Sequence, residues 1–268
     1  MSDDGPHLSV LVATGPGAGP GTRLAPDPAE RELSALYTHP LPTAGRTWLR
    51  ANMVTTIDGA AWGATGRSGS INNSADFRAF CAMRAMADVV MVGAGTVRTE
   101  GYTPVEVPPE LAATRSAAGL APGLTTAVVT RSGHLPDAFF TPEAASSCLV
   151  LTTAEGAQAL EGRFPTERVV VAGIGDVDLR AGLAELARRS LPRVLCEGGP
   201  TLLGDLVAAG VVDELCVTTS PQVVGGPATR IVHSTSYLRP PAAARLGHLL
   251  VSDGVLLARW VVADEGPQ

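Results

Sequence analysis

From Trp48 onward, short apolar runs rich in β-branched residues alternate with segments whose apolar residues recur at helical spacing. That alternation is the pattern of βαβ units. The spacing predicts strands over Leu49–Thr56, Val89–Val92, Thr126–Thr130, Cys148–Leu151, Arg168–Ala172, Arg193–Cys196 and Glu214–Thr219. It predicts helices over Ser74–Met86, Leu179–Arg189 and Thr201–Ala209. In the second of these, Leu179, Leu183, Leu186 and Ala187 fall on one helical face. The pattern changes at the end, where apolar runs over Ala243–Leu249 and Val255–Val262 flank Ser252-Asp253-Gly254. Asp-Gly between two such runs is a hairpin signal. The expected fold is α/β, a mostly parallel sheet flanked by helices, with an antiparallel C-terminal hairpin finishing one edge. Residues 1–45 are rich in proline and glycine and read as an arm with one short helix across Pro28–Tyr37. There Asp27 is placed to cap and Pro28 to open the helix. Residues 46–268 read as one domain.

Composition supports a folded core, with 45% hydrophobic and only 17% charged residues. A net charge of −6 gives no broad attraction for nucleic acid or acidic membranes. All 20 Lys+Arg residues are arginine, which excludes lysine Schiff-base chemistry and a Walker-type phosphate loop. The cysteines, Cys81, Cys148, Cys196 and Cys216, are far apart in apolar surroundings and read as buried free thiols of a reducing compartment. The five histidines are scattered, and neither HExxH nor any Cys/His ligand spacing occurs, so no metal site is expected. Met1-Ser2-Asp3-Asp4 opens no signal sequence, and no apolar run reaches the roughly 18 residues that span a bilayer. The expectation is a cytoplasmic protein without nucleic-acid or membrane partners.

Two glycine-rich turns carry candidate chemistry. In the first, Val89-Val90-Met91-Val92 runs into Gly93-Ala94-Gly95-Thr96, with Thr96 placed to cap a helical turn. Glycine admits a ligand close to the backbone, and free N–H groups at a helix start attract anions. The GxGxxG fingerprint is not met, because Arg98 stands at the third glycine, so a tight turn without ligand explains this segment equally well. In the second, Val194-Leu195-Cys196-Glu197 runs into Gly198-Gly199, and Pro200 suits the first position of a helix. Glu197 then sits at a strand's C-terminal end, where ligands collect in open α/β sheets. Two such turns in one domain suit a dinucleotide. A third segment, Asn52-Met53-Val54-Thr55-Thr56-Ile57-Asp58-Gly59, ends in what is either a simple turn or the start of a binding loop running through Ser68 and Ser70.

The ordered set resembles the reductase domain of the bacterial riboflavin-biosynthesis deaminase/reductase, of the dihydrofolate reductase-like superfamily. The matching segments are Thr56–Gly59, Ala87–Arg98, Glu197–Leu202, Val212–Leu215 and Ser220–Gly226, and the resemblance runs from about Trp48 to Val262. It implies a dihydrofolate reductase-like fold and NADPH-dependent reduction of 5-amino-6-(5-phosphoribosylamino)uracil to its ribitylamino product. It implies cofactor contacts at Val54, Ser70, Gly95, Thr96, Thr130 and Arg131, and along Gly198, Gly199, Pro200, Thr201, Leu202 and Leu203 as far as Asp205. Arg131 would fork onto the 2′-phosphate. Substrate contacts are implied at Thr56, Ser68 and Glu197. Glu197 would orient the heterocycle and Asp58 would polarise or protonate it as the catalytic pair.

The chain also departs from the family. Thr56 replaces a serine, and Glu100-Gly101-Tyr102 stands where an acidic residue precedes Asp-Pro. Near Ser70 a tryptophan of the substrate loop is replaced. Neither H-x-E nor P-C-x-x-C of a zinc deaminase occurs, which points to a stand-alone reductase. Two further readings stay open: a sister enzyme acting on dihydrofolate or another pteridine-like ring, and a non-catalytic NADP-binding protein. The resemblance implies a homodimer, with Trp260-Val261-Val262 either at its interface or at a core edge.

Overall fold

The computed structural model describes residues 5–262; the Met1–Asp4 segment and the last six residues of the expected domain, 263–268, lie outside the described residues. In chain order the strands are β1 (Leu8–Ala13), β2 (Arg23–Leu24), β3 (Trp48–Thr56), β4 (Val89–Gly93), β5 (Thr125–Thr130), β6 (Cys148–Thr152) and β7 (Val169–Val171). They continue with β8 (Arg193–Cys196), β9 (Glu214–Ser220), β10 (Ala244–Ser252) and β11 (Val255–Val262). The helices are α1 (Arg31–Leu36), α2 (Ser74–Ala85), α3 (Ala94–Thr96), α4 (Ala112–Ala117), α5 (Pro142–Ser147), α6 (Ala154–Leu160), α7 (Leu179–Arg188) and α8 (Pro200–Ala208).

All strands join one 11-stranded sheet in the order β2-β1-β10-β11-β9-β3-β8-β4-β5-β6-β7. Strands β3 to β9 run parallel, and β11, β10, β1 and β2 add antiparallel at one side. Strand β4 is apolar throughout and buried on both faces, as a central parallel strand must be. Strand β9, at the switch to antiparallel pairing, alternates buried and half-buried positions. The β10–β11 hairpin turns on Asp253 (φ 47°) and Gly254 (φ 82°), with Ser252 opposite Val255. Both central residues have positive φ, the geometry that the Asp-Gly pair favours.

One face of the sheet packs on α1 and α2 through Leu33, Leu36, Ala79, Ala82 and Met83. The other packs on α7 and α8 through Leu183, Leu186, Leu203 and Leu206. A third cluster around Phe139 and Phe164 closes the far end. Between β3, β9 and β11 the buried Glu214 carboxylate takes Arg50 Nε at 2.6 Å and Arg259 Nη1 at 2.6 Å. Pairing each oxygen in this way offsets the cost of burying three charges.

The N-terminal segment differs from the expected arm. Residues 8–13 and 23–24 form β1 and β2, with Ser9 opposite Val251, so within the described residues no boundary near residue 45 separates them from the sheet. The run Leu8-Ser9-Val10-Leu11-Val12 is too short to stand out beside the proline and glycine around it. The expected helix starts later, at Arg31, after a left-handed Glu30. Asp27 accepts from the Ala29 N–H at 3.1 Å, so Asp27-Pro28 heads a turn instead of capping the helix. Likewise the cap of α3 is Gly93, and Thr96 ends that helix instead of opening one.

Candidate active site

A cleft of about 1290 Å³ opens at the C-terminal ends of β3, β4, β5 and β8, where open α/β sheets collect ligands. Pockets for one small ligand run to about 300–1,000 Å³, so this cleft has room for more than one molecule. Of the expected residues, Val54, Ser68, Gly95, Thr96, Thr130, Arg131, Glu197, Gly199, Pro200, Thr201 and Leu202 line it, as does Asp205. Thr56, Asp58, Ser70, Gly198 and Leu203 are not in its wall.

The two glycine turns meet along one side of the cleft. The Gly93 N–H donates to the Gly198 carbonyl at 2.8 Å, which ties the turns together. A Cβ on Gly199 would stand 2.4 Å from Thr96 Oγ1, so any side chain there would force Thr96 to shift. Gly95 has open space where a side chain would project. The N–H groups of Thr201 and Leu202, in the first turn of α8, have no carbonyl a turn earlier within the helix and carry the positive end of its dipole. A Cβ on Gly204 would stand 2.1 Å from the His233 carbonyl, and the His233 N–H donates to the Pro200 carbonyl at 3.0 Å. These two contacts fix the helix start against the loop that carries Thr229 and His233 into the cleft. Free N–H groups at a helix start beside a close glycine turn suit an anion. Arg131, after β5, pairs with Asp176 at 3.1 Å with both side chains largely exposed. Such a pair is worth at most about 1 kcal/mol, so the guanidinium is available to a phosphate.

The cleft wall also carries a charged cluster. Arg84 of α2 donates through Nε and Nη2 to both oxygens of Glu197, each at 2.7 Å, and the Tyr102 hydroxyl donates to Glu197 Oε2 at 2.8 Å. The guanidinium stacks 3.9 Å from the centroid of Phe80. Burial disfavours the charge on Arg84, but the hydrogen bond to Glu197, the Glu197 charge and the smaller effects of Tyr102 and Cys81 together outweigh that and hold the pKa above the ordinary value. Burial and the Glu197 charge push the Tyr102 hydroxyl well above its usual range. A carboxylate offers about four lone-pair sites, and three are taken here. Glu197 therefore keeps one site for a ligand N–H, inside a wall it shares with Phe80 and Tyr102. Arg84, Phe80 and Tyr102 carried no sequence signal, since their partner lies across the fold.

Asp58 is placed differently from the expected acid. Its carboxylate accepts from Thr56 Oγ1 at 2.5 Å, from the Gly225 N–H at 2.7 Å and from the Val224 N–H at 3.4 Å. The Thr56 hydroxyl and the Gly225 amide hold its pKa below the ordinary carboxylate value. An acid so held is a poor proton donor, and Asp58 stands outside the cleft wall. Its geometry pins the 222–226 loop to the end of β3. Ser70 is similarly engaged, donating to the Arg67 carbonyl at 2.7 Å and accepting from the Gly63 N–H at 3.0 Å. The Ser68 N–H instead reaches Glu100 Oε1 at 2.8 Å, and both residues line the cleft.

Among the described residues no group of three or more His, Cys, Asp or Glu side chains gathers as for a metal ion. No helix among them is long and apolar enough to cross a membrane. The four cysteines are free, and burial pushes Cys196 and Cys216 up to about 12.

Known proteins resemble this arrangement. The RibD C-terminal domain family matches residues 47–256. A 2,5-diamino-6-ribosylamino-4(3H)-pyrimidinone 5′-phosphate reductase of Methanothermobacter thermautotrophicus is 32% identical over 183 residues, 68% of this chain and 81% of that protein. The riboflavin biosynthesis protein RibD of Mycobacterium tuberculosis is 31% identical over 185 residues, 69% of this chain and 44% of that protein. In structure, a pyrimidine reductase-like protein from Corynebacterium diphtheriae superposes with a TM-score of 0.73 at 24% identity, covering 87% of this chain and 99% of that one. The chain therefore belongs to the RibD C-terminal domain family and is an oxidoreductase.

Proposed function

We propose that the protein uses NADPH to reduce a ribosylaminopyrimidine 5′-phosphate, 5-amino-6-(5-phosphoribosylamino)uracil, to its ribitylamino product in riboflavin biosynthesis. The observation that carries this is the joining of two unlike half-sites in one cleft. An anion cradle formed by Gly95, Thr96 and the start of α8 faces an aromatic and carboxylate wall of Phe80, Tyr102 and Glu197. The cradle fits the cofactor, because Gly199 lies where any side chain would collide with Thr96 and the first-turn N–H groups of α8 point outward.

When bound, NADPH supplies the hydride. Residues of the chain do the rest. Thr201 and Leu202 hold the pyrophosphate through backbone N–H groups, and Arg131 turns from Asp176 to the adenosine phosphate. Glu197, fixed by Arg84 and Tyr102, accepts a ring N–H and sets the pyrimidine's orientation. Phe80 and Tyr102 cover the ring and exclude water. The reading carries with it a cytoplasmic homodimer. Leu256 and Trp260 of β11 and Leu249 and Val251 of β10 share one face of the sheet, with Leu256 39% and Trp260 36% exposed. Sedimentation of purified protein tests the dimer.

The activity test is loss of reduced-nicotinamide absorbance with the uracil substrate, with the 2,5-diaminopyrimidinone analogue and with dihydrofolate, side by side. Turnover with a ribosylaminopyrimidine supports the reading. Turnover with dihydrofolate alone moves the enzyme to the sister activity, and NADPH binding without turnover marks a non-catalytic protein.

A further inference from the structure

Asp76 has no part in the cluster around Glu197, yet it lines the same cleft with only 4% of its surface exposed. It stands in the first turn of α2, three residues after the cap Asn73, where an acidic side chain ordinarily reaches back to the cap's N–H. That role is already filled, because the Asn73 N–H donates to Asn72 Oδ1 at 2.5 Å. Thr218 of β9 bonds to the carboxyl, but Oδ1 has no partner among the described residues. Asn52 Oδ1, on the sheet face toward α2, is also buried in the cleft wall without one. Two buried, unpartnered oxygens in one cleft wall call for a ligand that brings hydrogen-bonding hydrogens or accepts them.

Resting on the proposed ribosylaminopyrimidine reduction, we infer that Asp76 is the acid that opens the sugar ring during turnover. The substrate is a cyclic N-riboside and the product an open ribityl amine, so the C1′–O4′ bond must break. As the exocyclic nitrogen pushes its electron pair toward C1′ to form C1′=N, the Asp76 carboxyl gives its proton to O4′, which leaves as the 4′-hydroxyl. Hydride from NADPH adds to C1′, and the C=N electron pair returns to nitrogen. NADPH is oxidised to NADP⁺, the sugar carbon is reduced, and Asp76 regains its proton from water. Asn52 Oδ1 accepts a sugar hydroxyl beside it. Burial supports the role: it raises the Asp76 pKa to about 6, against the lowering bond from Thr218, so the carboxyl keeps its proton to higher pH than an ordinary aspartate and gives it up near the working pH.

The test compares wild type with Asp76→Asn and Asp76→Glu, following NADPH oxidation with the ribosylaminopyrimidine, NADPH binding by fluorescence and the melting temperature at neutral pH. Loss of a general acid lowers kcat by about 100-fold or more in Asp76→Asn. NADPH affinity and KM stay within a few-fold of wild type, and Asp76→Glu recovers part of kcat. Asp76→Asn also melts no lower than wild type, since it replaces an uncompensated buried carboxyl. Asp76→Asn turnover within a few-fold of wild type, a defect confined to KM, or a clear fall in melting temperature overturns the assignment alone. Wild type inert toward both ribosylaminopyrimidines overturns the substrate reading and the assignment with it.

Discussion

Arg84 holds Glu197 by both carboxylate oxygens, 2.7 Å from each, joining α2 to the residue just past β8. The Glu197 side chain is 2% exposed and that of Arg84 18%, so neither charge is well hydrated. Removing one partner leaves the other buried and uncompensated, at a cost of about 3–5 kcal/mol. Arg84→Leu is therefore expected to lose that much stability in urea unfolding, while Arg84→Leu/Glu197→Leu loses less than the two single losses added together. Additive losses would show that the pair is not coupled.

Asp58→Ala separates pinning from proton transfer. With three donors already on its carboxylate, Asp58 fixes the 222–226 loop. Alanine there lowers kcat by less than the roughly 100-fold that loss of a general acid brings, and raises KM as the loop loosens. A kcat loss of that size at unchanged KM would restore Asp58 as the acid.

Gly199→Ala and Gly95→Ala both touch the proposed cofactor cradle, but only the first disturbs the fold. At Gly199 the added methyl stands 2.4 Å from Thr96 Oγ1, and overpacking of this kind costs about 1–3 kcal/mol. At Gly95 the methyl meets nothing within 4 Å and projects into the cleft, so stability holds while NADPH affinity falls. Equal melting temperatures for the two variants would contradict the close approach of the turns.

Asp76 makes stability depend on pH. Its carboxyl titrates at about 6 in the fold, against an ordinary value of 3.8, because burial disfavours the anion. The fold therefore binds this proton more tightly than the unfolded chain does. The resulting stability is fully present below pH 3.8 and is lost as pH rises through 6. The loss amounts to roughly 3 kcal/mol at pH 7. Thr218 on β9 bonds to it, Tyr37 just past α1 lies within its electrostatic reach, and no charged group is among the causes of its shift. Asp76→Asn lacks this titration. Its stability relative to wild type, from urea unfolding at pH 4 and pH 7, shifts in favour of the variant at the higher pH. A difference that does not move with pH would contradict the raised pKa.

Much of the fold was legible because the parallel strands are buried on both faces and read as continuous apolar runs. Val89–Val92 and Cys148–Leu151 are examples. Strand β1 was not, because its six residues pair only with β2 and β10, and β10 lies far along the chain. The glycine turns were legible because backbone approach leaves a mark in residue type, and Gly199 against Thr96 bears that out geometrically. Arg84 and Asp76 left no such mark. Arg84 meets Glu197 across 113 positions, and helix α2 shows arginines on more than one face. Asp58 shows the converse: its place before glycine at a strand end is legible, but the hold on its carboxylate by Gly225, 167 positions away, is not.

The most direct measurement is a steady-state assay of purified protein with NADPH and 5-amino-6-(5-phosphoribosylamino)uracil, with the product identified by mass. The account predicts stoichiometric NADPH oxidation and a product two hydrogens heavier, bearing an open ribityl chain. NADPH that binds but is not oxidised by either ribosylaminopyrimidine would contradict it.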